Sequence, residues 1–226
     1  MENQDNLTHY YNFSILTIVL MIVLIPLQTI LFILFPHPTT INEWFTLFNN
    51  SPIIGFIGFD VFYALSNILM VLFYISLFIL IRDKINNLTI FAIILSLVSI
   101  TIYFSSNRFI EMYTISEKYF KASTEMQRIS LIAGGELLLS VYKGSSYFIY
   151  YVLSGVSLIL LFTSFKRIDF FSKKTVRAGI ISGILMLVPA TVGIIGMAMS
   201  LLSLIPWIVT CLFLISDLNR NRNLER

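Results

Sequence analysis

The chain has 226 residues, of which 57% are hydrophobic and 12% charged, and its formal net charge is +3. A soluble domain carries about 25% charged residues, so we expect most of this surface to face lipid. The basic residues cluster at the ends of apolar segments, which argues for membrane orientation and against nucleic-acid binding. The single cysteine, Cys211, cannot form an internal disulfide.

The predicted fold class is all-α: a single integral membrane domain over residues 1–226, built as a helical bundle. About 20 apolar residues are needed to cross roughly 30 Å of hydrocarbon. The first apolar segment follows no basic region and has no cleavage site of a secretory signal, so we expect it to be retained. Pro36, His37 and Pro38 are predicted to end it. The six predicted spans are residues 13–35, 60–81, 88–106, 146–165, 175–191 and 196–216.

The connection between the first two spans, residues 40–60, is aromatic. Thr40 precedes Glu43 by three residues, a spacing that predicts a capping box and a short helix. Trp44 and Phe45 follow directly, and such residues favour the headgroup zone of a membrane. We therefore expect an interfacial segment here.

The long polar insertion, residues 107–143, separates the third and fourth spans. Capping-box patterns at Thr114 and Thr124 predict helices over residues 115–122 and 125–142. In the second helix, Gly134 and Gly135 indicate either a hinge or a point of close packing. Its predicted polar stripe is Glu125, Arg128, Glu136, Ser140 and Lys143, and its predicted apolar face is Met126, Ile129, Ala133, Leu137 and Tyr142.

Two interpretations of this second helix stay open. It is either an amphipathic helix that rests on the membrane or on the bundle with its polar face solvated, or a lid over an outward-facing cavity. In the second interpretation Glu136 points into that cavity, as a convergent polar group of a binding cleft would.

The basic residues predict the orientation. If the N-terminus is inside, ten basic residues fall in the inner connections and the C-terminal tail, which includes Arg226, and five fall outside. The positive-inside rule then places both termini in the cytoplasm, with the insertion on the outer face of the cell membrane.

Polar groups near the outer ends of the spans are the candidate ligand-binding residues. Arg108 and Glu111 are three residues apart and are expected to pair, and Asp60 opens the second span on the same side. An interfacial anchor is the simpler interpretation of these three, because snorkelling reduces the free-energy penalty near the membrane surface. The complete candidate set is Asp60, Asn107, Arg108, Glu111, Arg128 and Glu136.

Within the spans, buried amides and regularly spaced glycines predict helix packing. Gln28 and Asn67 are amides at depth, which usually hydrogen-bond across helices. Glycine spacing in the last two spans predicts close helix approach, with Gly179, Gly183, Gly193 and Gly196 as the packing positions.

The sequence lacks the common catalytic motifs: no HExxH, no cysteine and histidine cluster, no P-loop and no GxSxG elbow. We therefore predict no cofactor and no metal. The leading hypothesis is a non-enzymatic membrane protein that binds or senses a small ligand, a lipid or a partner at its outer face. A small-molecule transporter, with Gln28 and Asn67 along its path, is one alternative. An intramembrane enzyme that uses carboxylates such as Asp60 and Glu136 is another. The oligomeric state stays open.

Several short motifs also carry a resemblance to a known family. They are Glu43-Trp44-Phe45, Pro52-x-x-Gly55, Asp60, Asn107, Ser116-x-x-Tyr119, Thr124-Glu125-x-Gln127-Arg128, Ala133-Gly134-x-Glu136, Pro189 and Pro206-Trp207. Between Glu43 and Trp207 the chain thereby resembles a widespread prokaryotic family of small multi-pass membrane proteins that is catalogued only as a domain of unknown function. The resemblance implies an integral membrane protein of this size and no activity, substrate or catalytic residue. Its members have small residues at the positions of Arg108 and Glu111, which argues against a shared role for that pair.

Overall fold

The computed structural model describes residues 2–35, 37–142 and 144–224, and the side chains from residue 7 onward. Every regular element in these ranges is helical, which confirms the all-α prediction. The elements are α1 (Glu2–Leu34), α2 (Ile41–Asn50), α3 (Pro52–Gly58), α4 (Val61–Ile81), a 3₁₀ turn (Arg82–Lys84), α5 (Asn87–Ser106), α6 (Phe109–Lys121), α7 (Glu125–Val141), α8 (Ser145–Phe165), α9 (Lys173–Met186) and α10 (Gly193–Leu224).

Five stretches of the described residues are long and apolar enough to cross a membrane, which indicates a multi-pass membrane protein. The predicted span 175–191 is not among them. In its place lies α9, whose 14 residues rise only about 21 Å, because Pro189 cannot continue the helix. The five stretches are Leu7–Leu34, Val61–Lys84, Asn87–Lys121, Glu125–Phe165 and Gly193–Leu224.

The helix bounds match the predicted spans closely for α4, α5 and α8, each within one residue. In contrast, α1 and α10 are longer than predicted. The polar side chains in the tail of α10 bond the connection between α8 and α9: Asp217 Oδ2 accepts from the Ser172 backbone N–H at 2.8 Å, and Arg220 Nη2 donates to the Phe170 carbonyl at 2.8 Å. Pro36 and Arg226, used in the sequence arguments, lie outside the described residues.

The chain divides into two compact units, which are described separately. The first unit comprises Met1–Val23, Ser66–Thr101 and Phe148–Arg226. The second comprises Leu24–Leu65 and Ile102–Tyr147. The second unit therefore holds most of the polar insertion together with α2 and α3.

In the first unit, α5 and α8 pack antiparallel through paired hydroxyl groups. From one pair to the next, the residue number rises along α5 by as much as it falls along α8, so the three pairs lie along one line of contact between the helices. Small hydroxyl side chains let helices approach closely and satisfy one another's hydrogen bonds. The pairs are Thr89 with Ser164 at 2.9 Å, Ser96 with Ser157 at 2.5 Å and Ser99 with Ser154 at 2.9 Å. Asn67 also bonds across helices, since its Oδ1 accepts from the Tyr150 hydroxyl at 3.2 Å.

Glycines bring α9 against α8 in the same unit. A Cβ atom on Gly183 would lie 2.9 Å from the carbonyl oxygen of Gly155, and one on Gly179 would overlap the ring of Phe162. Only glycine permits this approach. The close contact that the glycine spacing predicts thus lies between helices of one chain.

The two glycines at the start of α10 are required for different structural reasons. A Cβ atom on Gly196 would overlap the carbonyl oxygen of Pro189, so a close approach requires this glycine. Gly193 has φ +58, a left-handed conformation that favours glycine, and a Cβ there would meet nothing within 4 Å. Gly193 therefore serves the turn into α10 and not a helix contact.

An aromatic cluster forms the core of the second unit. Its buried members come from α2, the end of α3 and α6, and Trp44 is only 3% exposed while Phe45 is fully buried. The apolar face of α2 therefore packs inward against the insertion, and the interfacial location of this segment stays a prediction. The cluster consists of Ile41, Trp44, Phe45, Phe48, Phe59 and Met112.

The helix starts test the capping predictions. Both capping boxes at Thr40 and Thr124 are present, with reciprocal bonds to Glu43 and Gln127. The capping box predicted at Thr114 is wrong. Because α6 already begins at Phe109, Thr114 lies inside that helix and its hydroxyl donates to the Ile110 carbonyl at 2.8 Å.

The glycine pair of α7 is a packing point. The helix runs unbroken through both residues. A Cβ atom on Gly135 would lie 2.6 Å from both Ile41 Cδ1 and Phe45 Cζ, whereas one on Gly134 would make an ordinary contact 3.4 Å from Ile115 Cδ1. Of the two interpretations left open, the structure therefore favours close packing, and it assigns that packing to Gly135.

Candidate functional site

Asp60 lies at the corner between α3 and α4, and its conformation is unusual. Its backbone has φ +62, in the left-handed region that non-glycine residues rarely adopt. Aspartate tolerates this region because its short polar side chain can hydrogen-bond locally. The residue is only 4% exposed. It is therefore a buried carboxylate and not the surface anchor that the simpler interpretation predicted.

Side chains from distant segments bond the backbone around this corner. The last carbonyls of a helix have no partner within that helix, and a buried carbonyl without a partner is unfavourable. Gln28 Nε2 donates to the Ile57 carbonyl at 2.8 Å, and its Oε1 accepts from the Phe62 N–H at 3.2 Å. Asn107 Nδ2 donates to the Phe59 carbonyl at 3.0 Å. The predicted cross-segment bonding of Gln28 is thus confirmed.

Tyr142 links the carboxylate of Asp60 to the same backbone. Its hydroxyl lies 2.8 Å from Asp60 Oδ2 and 3.2 Å from the carbonyl oxygen of Gly58, two acceptors for one hydrogen. His37 Nε2 lies 3.0 Å from that Gly58 oxygen. We call residues 57–60, with the side chains of Gln28, His37, Asn107 and Tyr142, the Asp60 corner.

An open groove borders the Asp60 corner at His37, along the exposed side of α2. Its volume is about 580 Å³. The described residues that line it offer amides, a hydroxyl, an imidazole and a carboxylate, and no lysine or arginine. They are His37, Pro38, Asn42, Glu43, Thr46, Leu47 and Asn50.

The carboxylate of the groove, Glu43, is held by backbone donors. Its Oε2 accepts from the Thr39 N–H at 2.7 Å and from the Thr40 N–H at 3.2 Å. These bonds favour the charged form and so lower the pKa of Glu43 below its ordinary value, and the bond from the Thr39 N–H has the largest effect. The groove therefore presents a negative charge at neutral pH.

No family model, curated protein or solved structure matches this chain. The chemistry of the groove and of the Asp60 corner therefore has to be argued from their own atoms. In the part of the chain that the structure describes, no group of three or more His, Cys, Asp or Glu side chains is arranged to hold a metal ion. What the groove can do is hydrogen-bond a neutral or positively charged molecule.

The structure brings two of the six predicted site residues together. Asp60 and Asn107 both belong to the Asp60 corner, and both are buried. The others have exposed or half-exposed side chains on the insertion. Arg108 Nη1 pairs with Glu111 Oε1 at 3.0 Å, as predicted, while Arg128 and Glu136 are exposed on α7.

The predicted apolar face and the predicted polar stripe of α7 are both largely exposed on the protein. Met126 is 80% exposed and Leu137 65%, so these two apolar side chains do not pack on the bundle, and contact of this face with the membrane stays a prediction. The helix packs instead through Gly135 and its neighbours Leu138 and Leu139. Lys143, the last residue of the predicted polar stripe, lies outside the described residues.

Sequence reasoning missed three residues of this region: His37, Tyr103 and Tyr142. Tyr103 lies in the same network, since its hydroxyl accepts from Asn107 Nδ2 at 3.1 Å. The only available signal was that a buried tyrosine hydroxyl usually finds a partner. That signal says nothing about which partner.

Proposed function

We propose that the chain crosses the cell membrane six times, with both termini in the cytoplasm and the insertion on the outer face. The count of basic residues supports this orientation. A contact in the first unit supports the even number of crossings: Arg222 Nη1 donates to Asn12 Oδ1 at 2.5 Å, so the start of α1 and the end of α10 lie at one end of that unit. Termini at the same end fit an even number of crossings. The short α9 would supply the sixth.

We propose further that the protein is a non-enzymatic binding or sensing protein, whose ligand occupies the groove along α2. One observation carries the proposal. His37 lines the groove, and its Nε2 lies 3.0 Å from the Gly58 carbonyl oxygen. The same oxygen lies 3.2 Å from the hydroxyl of Tyr142, which also binds Asp60 Oδ2. A molecule that engages His37 would thereby change the hydrogen bonding of a buried carboxylate.

The lining groups define the class of ligand. Asn42, Thr46 and Asn50 offer donors and acceptors, and Glu43 adds a negative charge. An anion such as a phosphate would be repelled by Glu43. We therefore propose a small neutral or cationic molecule that carries several hydroxyl or amine groups.

Two observations favour binding over the transport and enzyme hypotheses. Gln28 and Asn67, the residues expected along a transport path, are engaged in hydrogen bonds to other segments. The carboxylates of Asp60 and Glu43 are each already occupied by donors of the protein. We also propose membership of the family that the motifs between Glu43 and Trp207 resemble, on the strength of those motifs alone.

Tryptophan fluorescence tests the binding proposal. The chain has two tryptophans, and the ring of Trp44 lies 5.9 Å from that of His37. In a Trp207→Phe background, Trp44 reports on the groove. We expect a saturable change on titration with a panel of polyols, amines and amino sugars.

Matched variants localise the signal. Asn42→Ala removes a lining amide and should weaken binding, whereas Asn49→Ala alters an exposed amide of the same helix that does not line the groove. Absence of a saturable change across the panel, or equal effects of the two variants, would refute the assignment.

A further inference from the structure

We infer that the first unit binds the phosphate of an anionic phospholipid headgroup, at a cluster of cationic side chains around Phe170. This inference does not rest on the ligand proposed for the α2 groove, which belongs to the second unit and repels anions. It concerns the end of the first unit where the basic connections meet the start of α1.

The cluster is built on one aromatic residue. Lys84 Nζ lies 5.9 Å from the centre of the Phe170 ring, within the range of a cation–π contact. Arg220 Nη2 donates to the Phe170 carbonyl at 2.8 Å. The ring of Tyr11 stacks on that of Phe170 at 6.2 Å, and the next residue, Asn12, accepts from Arg222. Lys84 and Arg220, from two chain segments, thus both contact Phe170, and Arg222 lies two positions beyond Arg220 in the same helix.

Nearby carboxylates compensate only part of this charge. Asp217 lies 3.4 Å from Arg220 and offsets that one charge, while it also accepts from Ser172 and Thr175. Asp83 pairs with Arg82 at 3.8 Å. An anion beside Phe170 would relieve the repulsion among the cations.

The same excess extends over the connections at this end. Segments 82–84, 166–177 and 217–222 contain three acidic and nine basic residues. The acidic residues are Asp83, Asp169 and Asp217, and the basic ones are Arg82, Lys84, Lys166, Arg167, Lys173, Lys174, Arg177, Arg220 and Arg222.

The depth of the cluster fits a lipid headgroup. Lys84 follows the last residue of the apolar helix α4, Ile81, by three positions, and its side chain is exposed. The end of an apolar span is where lipid phosphates begin. Basic residues at this level attract anionic lipids, so the geometry points to a membrane lipid as the source of the phosphate.

Lipid retention in nanodiscs tests the inference. The full chain is placed in phosphatidylcholine nanodiscs that contain increasing phosphatidylglycerol, and retained lipids are counted by native mass spectrometry. We expect selective retention of phosphatidylglycerol. Lys84→Gln and Arg222→Gln should each weaken retention about fivefold, the effect of one surface charge near an anionic headgroup, while Arg222→Lys should retain it.

Arg82→Gln is the matched control, because Arg82 lies in the same turn, is exposed and pairs with Asp83. It should leave retention nearly unchanged. Melting temperatures in pure phosphatidylcholine show whether each variant is folded. Equal weakening by Arg82→Gln and Lys84→Gln would overturn the inference in favour of diffuse surface charge. Equal retention of both lipids, or full displacement of the lipid by millimolar inorganic phosphate, would overturn it as well.

Discussion

The hydroxyl of Tyr142 lies 2.8 Å from the carboxylate of Asp60, although the two residues are 82 positions apart in the chain. Asp60 is held in a left-handed conformation at the turn between two helices. Strained backbone of this kind persists only where its surroundings determine it. Tyr142 is one of the groups that do so, together with Gln28 and Asn107, which bond the adjacent backbone.

Removing the Tyr142 hydroxyl should therefore destabilise the protein. Tyr142→Phe takes a donor away from a buried carboxylate, and such a loss costs about 1–3 kcal/mol. The free energy of unfolding in mixed detergent micelles measures it. Tyr10→Phe, at an exposed position, is the control and should change stability by less than about 0.5 kcal/mol. Equal stabilities of the two variants would show that the Tyr142 bond contributes nothing.

Neighbouring glycines of α7 should respond oppositely to alanine. Gly135→Ala pushes a methyl group into Ile41 and Phe45, which should destabilise the fold by about 1–3 kcal/mol, as overpacking does. Gly134→Ala has room and should stabilise the helix by about 0.5–1 kcal/mol. Thermal unfolding of both variants gives the comparison. The packing assignment fails if Gly134→Ala is the more harmful change.

The contact between α8 and α9 should tolerate no side chain. At Gly183, even alanine would place Cβ 2.9 Å from the Gly155 carbonyl oxygen, and the converse substitution meets the Gly183 carbonyl at 2.9 Å. We expect Gly155→Ala and Gly183→Ala each to destabilise the bundle. Because both force apart the same two backbones, the double variant should lose less than the summed effects. Strict additivity would mean that the two glycines act independently.

Acid should weaken the start of α2 through Glu43. Its pKa is lowered in the folded protein by the N–H groups of Thr39 and Thr40. Such a carboxyl stabilises the fold above its unfolded pKa, about 4.3, and the contribution disappears as the pH falls through the lower folded value. The melting temperature of the wild type should therefore decline more steeply below pH 4.5 than that of Glu43→Gln. Parallel declines would exclude this contribution.

Cysteine labelling on intact cells tests the proposed topology. The native thiol of Cys211 is only 1% exposed, so it should stay silent. Ser123→Cys, between α6 and α7, should react with a membrane-impermeant maleimide from outside. Lys174→Cys, at the start of α9, should react only after permeabilisation. Labelling of both from outside would rule out six crossings with cytoplasmic termini.

The sequence by itself determined the features that depend on composition and on close neighbours. Its high apolar content predicts a helical membrane protein, and the bounds of α4, α5 and α8 follow from where apolar runs end. The capping boxes at Thr40 and Thr124 were also predictable, because each bond joins residues three apart. The pair of Arg108 and Glu111 is local in the same way.

Only the tertiary structure decided which patterns are used and which face is buried. Thr114 has the spacing of a capping box, yet α6 begins earlier and places it inside the helix. The glycine pair of α7 left a hinge and close packing open, and only the tertiary structure shows that Gly135 packs against Ile41 and Phe45. The Asp60 corner depends on partners 21 to 84 positions apart in the chain. Such contacts arise when helices pack, and no local pattern in the sequence records them.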